Sequence, residues 1–353
     1  MSSNNSTTTI HDTVYTHMDL TSPSSLVAFL AQILLILVNM TCNGLIILVF
    51  IKVKSFHLNM FNWYIANLAL ADFMVSVDMT HSLIKWYYGR WPFGELVCNI
   101  VFTVIYVAIH VSPFIITVMS VDRYMCVSRP MKYKVHHISP KTRTLVMTGL
   151  GGSWIVIIAF YSIIAFGWNA FTGHSDLDYE SECEMPFIKS LAMNLVYISI
   201  TFLIPLVLVS YFNIQVYYKT KKQANQISDY SMEQSTYVTN AIQNSDPDLT
   251  GSNNAGANSG PQVRTAIQKR RFERQRKSII LLATYVAVFL MCWLPFSIMI
   301  LVDILCQRCE VTVSTYVGCV YVLDLNSVLN PIMYSIRNPT FRRDVRHLFK
   351  RKY

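Results

Sequence analysis

The chain has 353 residues, of which 53% are hydrophobic and only 14% are charged. Soluble domains carry about a quarter charged residues, so this composition excludes an ordinary cytosolic enzyme and a disordered regulator. The formal net charge of +9 would favour a nucleic-acid partner in a soluble protein. In a chain this apolar, the basic residues are expected at a membrane surface instead, and we expect no nucleic acid among its partners.

Seven apolar segments are long enough to cross a bilayer. A hydrocarbon core of about 30 Å needs roughly 20 residues of helix, and a backbone in lipid has to satisfy its own hydrogen bonds. The predicted fold is an all-α membrane protein, a seven-transmembrane helix bundle at 25–336, between an N-terminal tail at 1–24 and a C-terminal segment at 337–353. The seven spans are expected at about 25–51, 60–83, 95–121, 144–167, 190–217, 277–305 and 312–336.

The distribution of basic residues predicts the orientation. Residues 1–24 contain no Lys or Arg, which argues against a cleavable signal peptide. With the N-terminus outside, all 29 Lys and Arg except Lys85, Arg90, Lys189 and Arg308 fall on the cytoplasmic side, in accord with the positive-inside rule. We therefore expect a plasma-membrane protein with an extracellular N-terminus and a cytoplasmic C-terminus.

The longest predicted loop runs from about 219 to 270 on the cytoplasmic side. It is rich in Ser, Asn, Gln and Gly, and the part from Asn244 to Gly260 has almost no apolar residue. Such a segment cannot bury enough apolar surface to offset the entropy of ordering it. The sequence therefore predicts a disordered loop here.

Four cysteines and two glycosylation sequons fall on the predicted outer side. An even number of cysteines in an oxidising compartment favours disulfides, and we expect the pairs Cys98–Cys183 and Cys306–Cys309. Asn4 and Asn5 each begin an N-x-Ser/Thr sequon in the outer tail, so both are candidate glycosylation sites.

A group of polar residues lies at membrane depth. Ionisable side chains are costly there and are functional candidates. A carboxylate among hydroxyl and amide oxygens suits a monovalent cation, although a protonated carboxyl satisfied by hydrogen bonds is the alternative. The cluster is predicted to contain Asp72, Ser112, Asn326, Ser327 and Asn330, with Asn43 close by.

The third span ends on the cytoplasmic side with Asp122-Arg123-Tyr124. An arginine at the mouth of a bundle can pair with its neighbour in one state and with other groups in a second state, which makes it a candidate switch. The alternative is an arginine whose guanidinium simply reaches the lipid headgroups.

Two prolines interrupt the last two spans. Pro295 follows Trp293 in the sixth span, and Pro331 precedes Tyr334 in the seventh. Proline removes a backbone hydrogen bond and kinks a helix. Each kink is a candidate hinge beside a bulky aromatic side chain.

These motifs occur in the order and at the spacing typical of rhodopsin-like (class A) G-protein-coupled receptors, and the chain resembles that family across all seven spans. Within the family it is most similar to the aminergic receptors, especially the histamine and muscarinic branch. The family resemblance is carried by Asn43, Asp72, Cys98, Asp122-Arg123-Tyr124, Trp154, Pro205, Trp293, Pro295 and Asn330-Pro331-x-x-Tyr334. The aminergic resemblance is carried by Trp91-Pro-Phe-Gly, Glu182-Cys183-Glu184, Ser210-Tyr-Phe-Asn213, Asn326-Ser327 and Cys306-x-x-Cys309.

The resemblance implies a receptor rather than an enzyme, without an organic cofactor. It implies an extracellular small-molecule ligand, the lipid bilayer, a heterotrimeric G protein and arrestin as partners. The cluster around Asp72 matches the family's allosteric sodium site, Arg123 the switch that faces the G protein, and Trp293 the residue beneath the ligand. The segment after Pro339 resembles an amphipathic eighth helix on the inner leaflet.

One departure concerns the ligand. Aminergic receptors hold the ammonium group with an Asp seven residues after the disulfide cysteine of the third span, where this chain has Ile105. A buried ammonium without a counter-charge is strongly disfavoured, so the ordinary amine-binding mode cannot operate. Asp324 is either a relocated counter-ion that faces the same cavity as Ile105 or a structural acid. The other expected pocket residues are Tyr106, His110, Tyr197, Thr201, Trp293, Phe296, Ser297 and Tyr321.

Several interpretations stay open at this point. His110 is either a ligand contact or a satisfied interior group, and Asn213 replaces the tyrosine that meets the switch arginine in many relatives. The ligand is a biogenic amine, or a peptide or lipid, or the receptor works without one. A transporter or channel is less favoured, because no internal repeat is visible in the sequence.

Overall fold

The computed structural model describes residues 21–133, 139–172, 183, 191–243, 280, 283–302, 305–306, 309 and 311–350. Within these ranges the chain is helical and contains no strand. The helices are α1 (Pro23–Lys52), a 3₁₀ helix (Lys54–Leu58), α2 (Met60–Tyr88), α3 (Gly94–Ser128), α4 (Pro140–Thr172), α5 (Leu191–Ile198, a π-helical turn at Ser199–Leu203, then Ile204–Gln243), α6 (Ala283–Val302), α7 (Val313–Arg337) and α8 (Pro339–Lys350).

Six of these helices, α1 to α6, are long and apolar enough to cross a membrane. Helix α7 has 25 residues, so it is about 37 Å long and also exceeds the hydrocarbon thickness. It is less apolar because it carries polar side chains at Asp324, Asn326, Ser327 and Asn330. The prediction of an all-α seven-helix membrane bundle is confirmed.

The bundle has polar groups inside and apolar groups outside. Asp72, Asn39 and Asn43 are fully buried, whereas Leu34 of α1 and Ile155 of α4 are more than half exposed. An apolar outer surface around buried polar groups is the pattern expected of a bundle in lipid, where buried polar groups need partners in the protein. At the centre, α3 contacts α2, α4 and α5, while α7 packs on α1 and α2.

Two disulfides lie at the predicted outer end. Cys98 near the start of α3 is bonded to Cys183, 85 residues later, and Cys306 is bonded to Cys309. Both expected pairs are therefore present. The sequons at Asn4 and Asn5 lie outside the described residues.

Helix α5 is longer than the sequence indicated. The fifth span was expected to end near 217 and the disordered loop to begin near 219, but the helix continues to Gln243. That boundary was wrong because the segment contains neither Gly nor Pro before Pro247, so polar composition alone does not end the helix. The remainder of the predicted loop, from 244 to 270, lies outside the described residues.

Helix α8 follows α7 after a single residue, Asn338. The Asn338 side chain accepts hydrogen bonds from the backbone N–H of Thr340 and Phe341 at 3.1 Å each, which caps the new helix. Phe341 is buried against Tyr334 and Phe56. The basic side chains of α8 point away from this contact, so the helix has the amphipathic pattern of a segment lying on a membrane surface.

Candidate functional site

A buried carboxylate joins three helices at the middle of the bundle. Asp72 of α2 accepts a hydrogen bond from Ser112 of α3 at 3.2 Å and from the side-chain amide of Asn330 of α7 at 2.8 Å. Ser327 also interacts with this carboxylate. The structure thus brings together four of the five residues predicted for the cation site. The fifth, Asn326, is buried in α7, the helix that carries Ser327 and Asn330.

Helix α1 is tied to this cluster by two asparagines. Asn39 donates to the backbone carbonyl of Asp72 at 2.7 Å and to Ser76 at 2.9 Å. Asn43 donates to the side-chain oxygen of Asn39 at 2.8 Å and to the carbonyl of Ser327 at 3.2 Å. Asn39 was not expected to take part, although a buried amide in an apolar span is itself a signal of such a contact.

The donor set around Asp72 fits a sodium ion. The side-chain oxygens of Asn43, Asn326 and Asn330 are buried and have no hydrogen-bond partner. Within the described ranges, no three or more His, Cys, Asp or Glu side chains come together as ligands for a metal ion. One carboxylate with neutral oxygens is the environment that suits a hard monovalent cation.

The switch arginine is paired with its neighbour. Arg123 forms a salt bridge to Asp122 at 2.9 Å, and its guanidinium lies 4.8 Å from the centre of the Phe61 ring. Tyr133 donates to both carboxylate oxygens of Asp122, at 3.1 and 2.9 Å. Burial raises the pKa of the Tyr133 phenol well above its ordinary value, so this hydroxyl stays protonated and remains a donor.

Two contacts join α5 to the cytoplasmic half of α3. Asn213 of α5 donates to the Val209 carbonyl at 2.7 Å and to the Ser120 hydroxyl of α3 at 3.3 Å. Tyr124, the last residue of the motif, lies beneath the Lys219 ammonium, 4.7 Å from its ring centre. The third span is therefore joined to α5 through Ser120 and Tyr124.

Tyr334 is held on the side of α2 and α8. Its hydroxyl donates to Asn62 at 3.1 Å and accepts from Asn338 at 2.7 Å, and its ring packs on Phe341 at 5.1 Å. Pro331 lies inside α7, three residues before Tyr334. The proline predicted as a hinge thus lies inside the helix, within one turn of the tyrosine.

Four aromatic side chains form a cluster between α3, α4 and α5. Tyr106 stacks on Tyr161 at 5.3 Å and meets Tyr197 edge-on at 5.8 Å. His110 contacts Tyr161 at 4.7 Å and Tyr197 at 5.7 Å between ring centres. Three of the predicted pocket residues therefore pack together, and Tyr161 of α4 is a neighbour that the sequence did not indicate.

Trp293 lies beneath this region in α6. Its ring contacts Phe289 at 5.6 Å and lies parallel to Phe202 of α5 at 6.5 Å. Pro295 is two residues further along the helix. Thr201, in the π-helical turn of α5, donates to the Tyr197 carbonyl at 2.7 Å, whereas Ser297 is buried and Phe296 is half-buried in α6.

Asp324 lies between α7 and α1. Gln32 of α1 donates to the Asp324 carboxylate at 3.5 Å, and Tyr321, one turn earlier in α7, contacts Trp86 of α2 and donates to the Ala28 carbonyl. The cavity beside these residues is lined from α1, α2 and α7, and Ile105 does not line it. Asp324 was expected to face Ile105, and the structure instead directs it towards Gln32.

A bundle of seven membrane-spanning helices with a buried polar centre and an arginine at one mouth is the arrangement expected of a helical membrane receptor. Residues 42–334 match the family model of the "7 transmembrane receptor (rhodopsin family)". The chain belongs to this family. It is a G-protein-coupled receptor and not an enzyme.

Similar proteins include three receptors from animals. The Octopamine receptor beta-2R of Drosophila melanogaster is 24% identical over 89% of this chain and 59% of its own length. The 5-hydroxytryptamine receptor 1F of Cavia porcellus is 25% identical over 94% of each chain. The Alpha-1A adrenergic receptor of Cavia porcellus is 24% identical over 90% of this chain and 66% of its own length.

Proposed function

We propose that this receptor lies in the plasma membrane with its N-terminus outside, binds an extracellular organic amine and activates a heterotrimeric G protein. The observation that carries the proposal is the match to the rhodopsin family over 42–334. The similar proteins named for octopamine, 5-hydroxytryptamine and adrenergic ligands support an amine. The basic residues concentrated on one side of the predicted bundle support the orientation.

Ligand binding acts through α6. A ligand above Trp293 changes the packing of its ring against Phe289 and Phe202, and Pro295 allows the cytoplasmic half of α6 to move as a unit. The ligand has only to bind the open arrangement better than the closed one. A hundredfold preference corresponds to about 2.7 kcal/mol of population shift.

The cytoplasmic response is an exchange of partners by Arg123. In the described arrangement Asp122 holds Arg123, and Tyr133 holds Asp122. Opening of α6 gives the guanidinium access to carbonyl oxygens of a G protein, and of arrestin, which docks in the same opening. Position 213 is an asparagine, which bonds to Ser120, so this receptor has no tyrosine there to hold the released arginine.

The residues around Asp72 form a candidate site for a sodium ion. Asp72, Ser112, Asn326, Ser327 and Asn330 would hold it, and the unpaired amide oxygens support this assignment. When bound, the ion would supply the charge that neutralises the buried Asp72 carboxylate. Because these residues lie on α2, α3 and α7, movement of the helices relative to one another would separate the oxygens, so sodium and agonist would oppose each other.

The test is a G-protein reporter assay in cells that express the full chain. We expect a concentration-dependent response to octopamine, 5-hydroxytryptamine or noradrenaline, and none in cells that express Arg123→Ala at the same surface density. Arg123→Ala serves as the control because it removes the switch but no group near the outer end. Absence of any response across these amines, with surface expression verified by an N-terminal epitope tag, contradicts the proposal.

A further inference from the structure

The bundle has a cavity between α1, α2 and α7, apart from the aromatic cluster of α3, α4 and α5. Its lining residues come from three helices: Gln32 from α1, Ser82 and Trp86 from α2, and Tyr316, Val320 and Tyr321 from α7. The cavity is only partly enclosed, and its volume of about 20 Å³ is room for roughly one water-sized group. An ammonium head group has that size.

One residue that lines this cavity, Gln32, has a buried amide oxygen without a partner. Gln32 is only 2% exposed. Its amide nitrogen faces two acceptors, the Met79 carbonyl at 3.4 Å and the Asp324 carboxylate at 3.5 Å. Rotating the amide by 180° would place its oxygen against these two acceptors, so the positions of the nitrogen and the oxygen are fixed. The oxygen Oε1 is then left without a hydrogen-bond partner, and a buried acceptor of this kind requires a donor.

A buried carboxylate lies next to Gln32. Asp324 of α7 is 2% exposed, and its carboxylate lies 3.5 Å from the side-chain nitrogen of Gln32. It forms no salt bridge within the described ranges. An ionisable side chain at membrane depth is a functional candidate, and a carboxylate without a salt bridge is a candidate partner for a cation.

Aromatic rings complete the site. The Trp86 and Tyr321 rings lie 6.0 Å apart at an angle of 63°, and both line the cavity together with Tyr316. The Tyr321 hydroxyl donates to the Ala28 carbonyl at 2.8 Å, which fixes this ring against α1. Aromatic faces around a carboxylate are a favourable environment for an organic ammonium ion.

We propose that an ammonium head group binds between α1, α2 and α7, where Asp324 is its counter-ion and Gln32 Oε1 accepts one of its hydrogen bonds. The inference rests on the proposed function in taking the ligand of this receptor to be an amine. It moves the charged end of the ligand away from α3, where Ile105 offers no charge, and leaves the aromatic cluster for the rest of the ligand.

The test uses a thiol reagent that carries its own ammonium group, so no ligand has to be known. Ser82→Cys places a thiol on the cavity wall. We measure its rates of modification by cationic methanethiosulfonate ethylammonium and by the anionic ethylsulfonate analogue in the full-length receptor. Ser314→Cys, exposed at the start of α7, is the matched control, and peptide mass spectrometry separates both from the native thiol of Cys319.

We expect the ratio of cationic to anionic rates to be about tenfold higher at position 82 than at position 314, because the buried Asp324 carboxylate attracts the cationic reagent. Adding Asp324→Asn, which keeps the shape of the side chain, is expected to remove most of this difference. Equal ratios at the two positions, or a ratio at position 82 that Asp324→Asn leaves unchanged, overturn the proposal.

A second variant and a second readout keep the interpretation unambiguous. Gln32→Met keeps the volume but removes the acceptor, and we expect it to lower the cationic rate at position 82 by about threefold; it stands in for Asp324→Asn if that protein does not fold. In the reporter assay, an amine response that Asp324→Asn leaves unchanged overturns this site but leaves the proposed function as an amine receptor intact. An Asp324-dependent rate preference without any amine response supports the cation site and contradicts amine activation.

Discussion

The hydroxyl of Tyr161 in α4 lies 2.6 Å from Nε2 of His110 in α3. The other ring nitrogen, Nδ1, lies 2.7 Å from the Tyr106 carbonyl. A carbonyl only accepts, so Nδ1 carries a proton, and in the neutral imidazole Nε2 accepts from the Tyr161 hydroxyl. Both nitrogens of His110 are therefore bonded within the protein, which favours an interior role over a ligand contact.

Removing the hydroxyl of this pair is expected to destabilise the receptor. Tyr161→Phe leaves Nε2 of His110 buried without a donor, which costs about 1 to 3 kcal/mol. We expect a lower midpoint of thermal unfolding for the purified receptor. The double variant His110→Phe with Tyr161→Phe removes both partners, so its loss should be smaller than the sum of the two single losses. Strictly additive losses would show that the two side chains are not coupled.

The seven helices were predictable because each span is long and apolar. Even α7 could be predicted from its length, although it carries polar residues. The cluster at Asp72 was also predictable, since the sequence spaces its members at positions typical of the family. Gln32 and Asn39 were missed because periodicity does not show which neighbouring helix a polar side chain meets. The orientation of the Asp324 side chain depends on its contact with Gln32 of α1, so it could not be predicted from the sequence of α7 alone.

The cation site predicts a specific response to sodium. Raising sodium chloride, at an ionic strength held constant with potassium chloride, is expected to weaken agonist binding to the wild-type receptor. Asp72→Asn removes the carboxylate and should abolish this dependence, whereas Ser112→Ala removes one neutral oxygen and should only reduce it. Radioligand competition in membranes measures the effect. A sodium dependence that survives Asp72→Asn would contradict a site at this carboxylate.

Tyr133 is expected to restrain basal signalling. Its hydroxyl donates to both oxygens of Asp122, so it supports the Asp122–Arg123 pair. Tyr133→Phe removes this support, worth about 0.5 to 1.5 kcal/mol, which corresponds to a roughly two- to tenfold rise in agonist-free nucleotide exchange on the G protein. Tyr218→Phe, which changes an exposed tyrosine of α5, should leave exchange unchanged. Equal basal rates in both variants would contradict this role.

The two disulfides are expected to differ in their contribution to stability. Cys98–Cys183 closes 85 residues and Cys306–Cys309 closes three. In the chain-entropy account, the longer link stabilises the fold by about 4 to 5 kcal/mol and the shorter by less than about 2 kcal/mol. Replacing Cys98 and Cys183 with Ser together should therefore sharply lower surface expression, whereas the same change at Cys306 and Cys309 should lower it modestly. Flow cytometry of an N-terminal epitope measures both, and an equal loss would show that local geometry outweighs chain entropy at the outer end of α6.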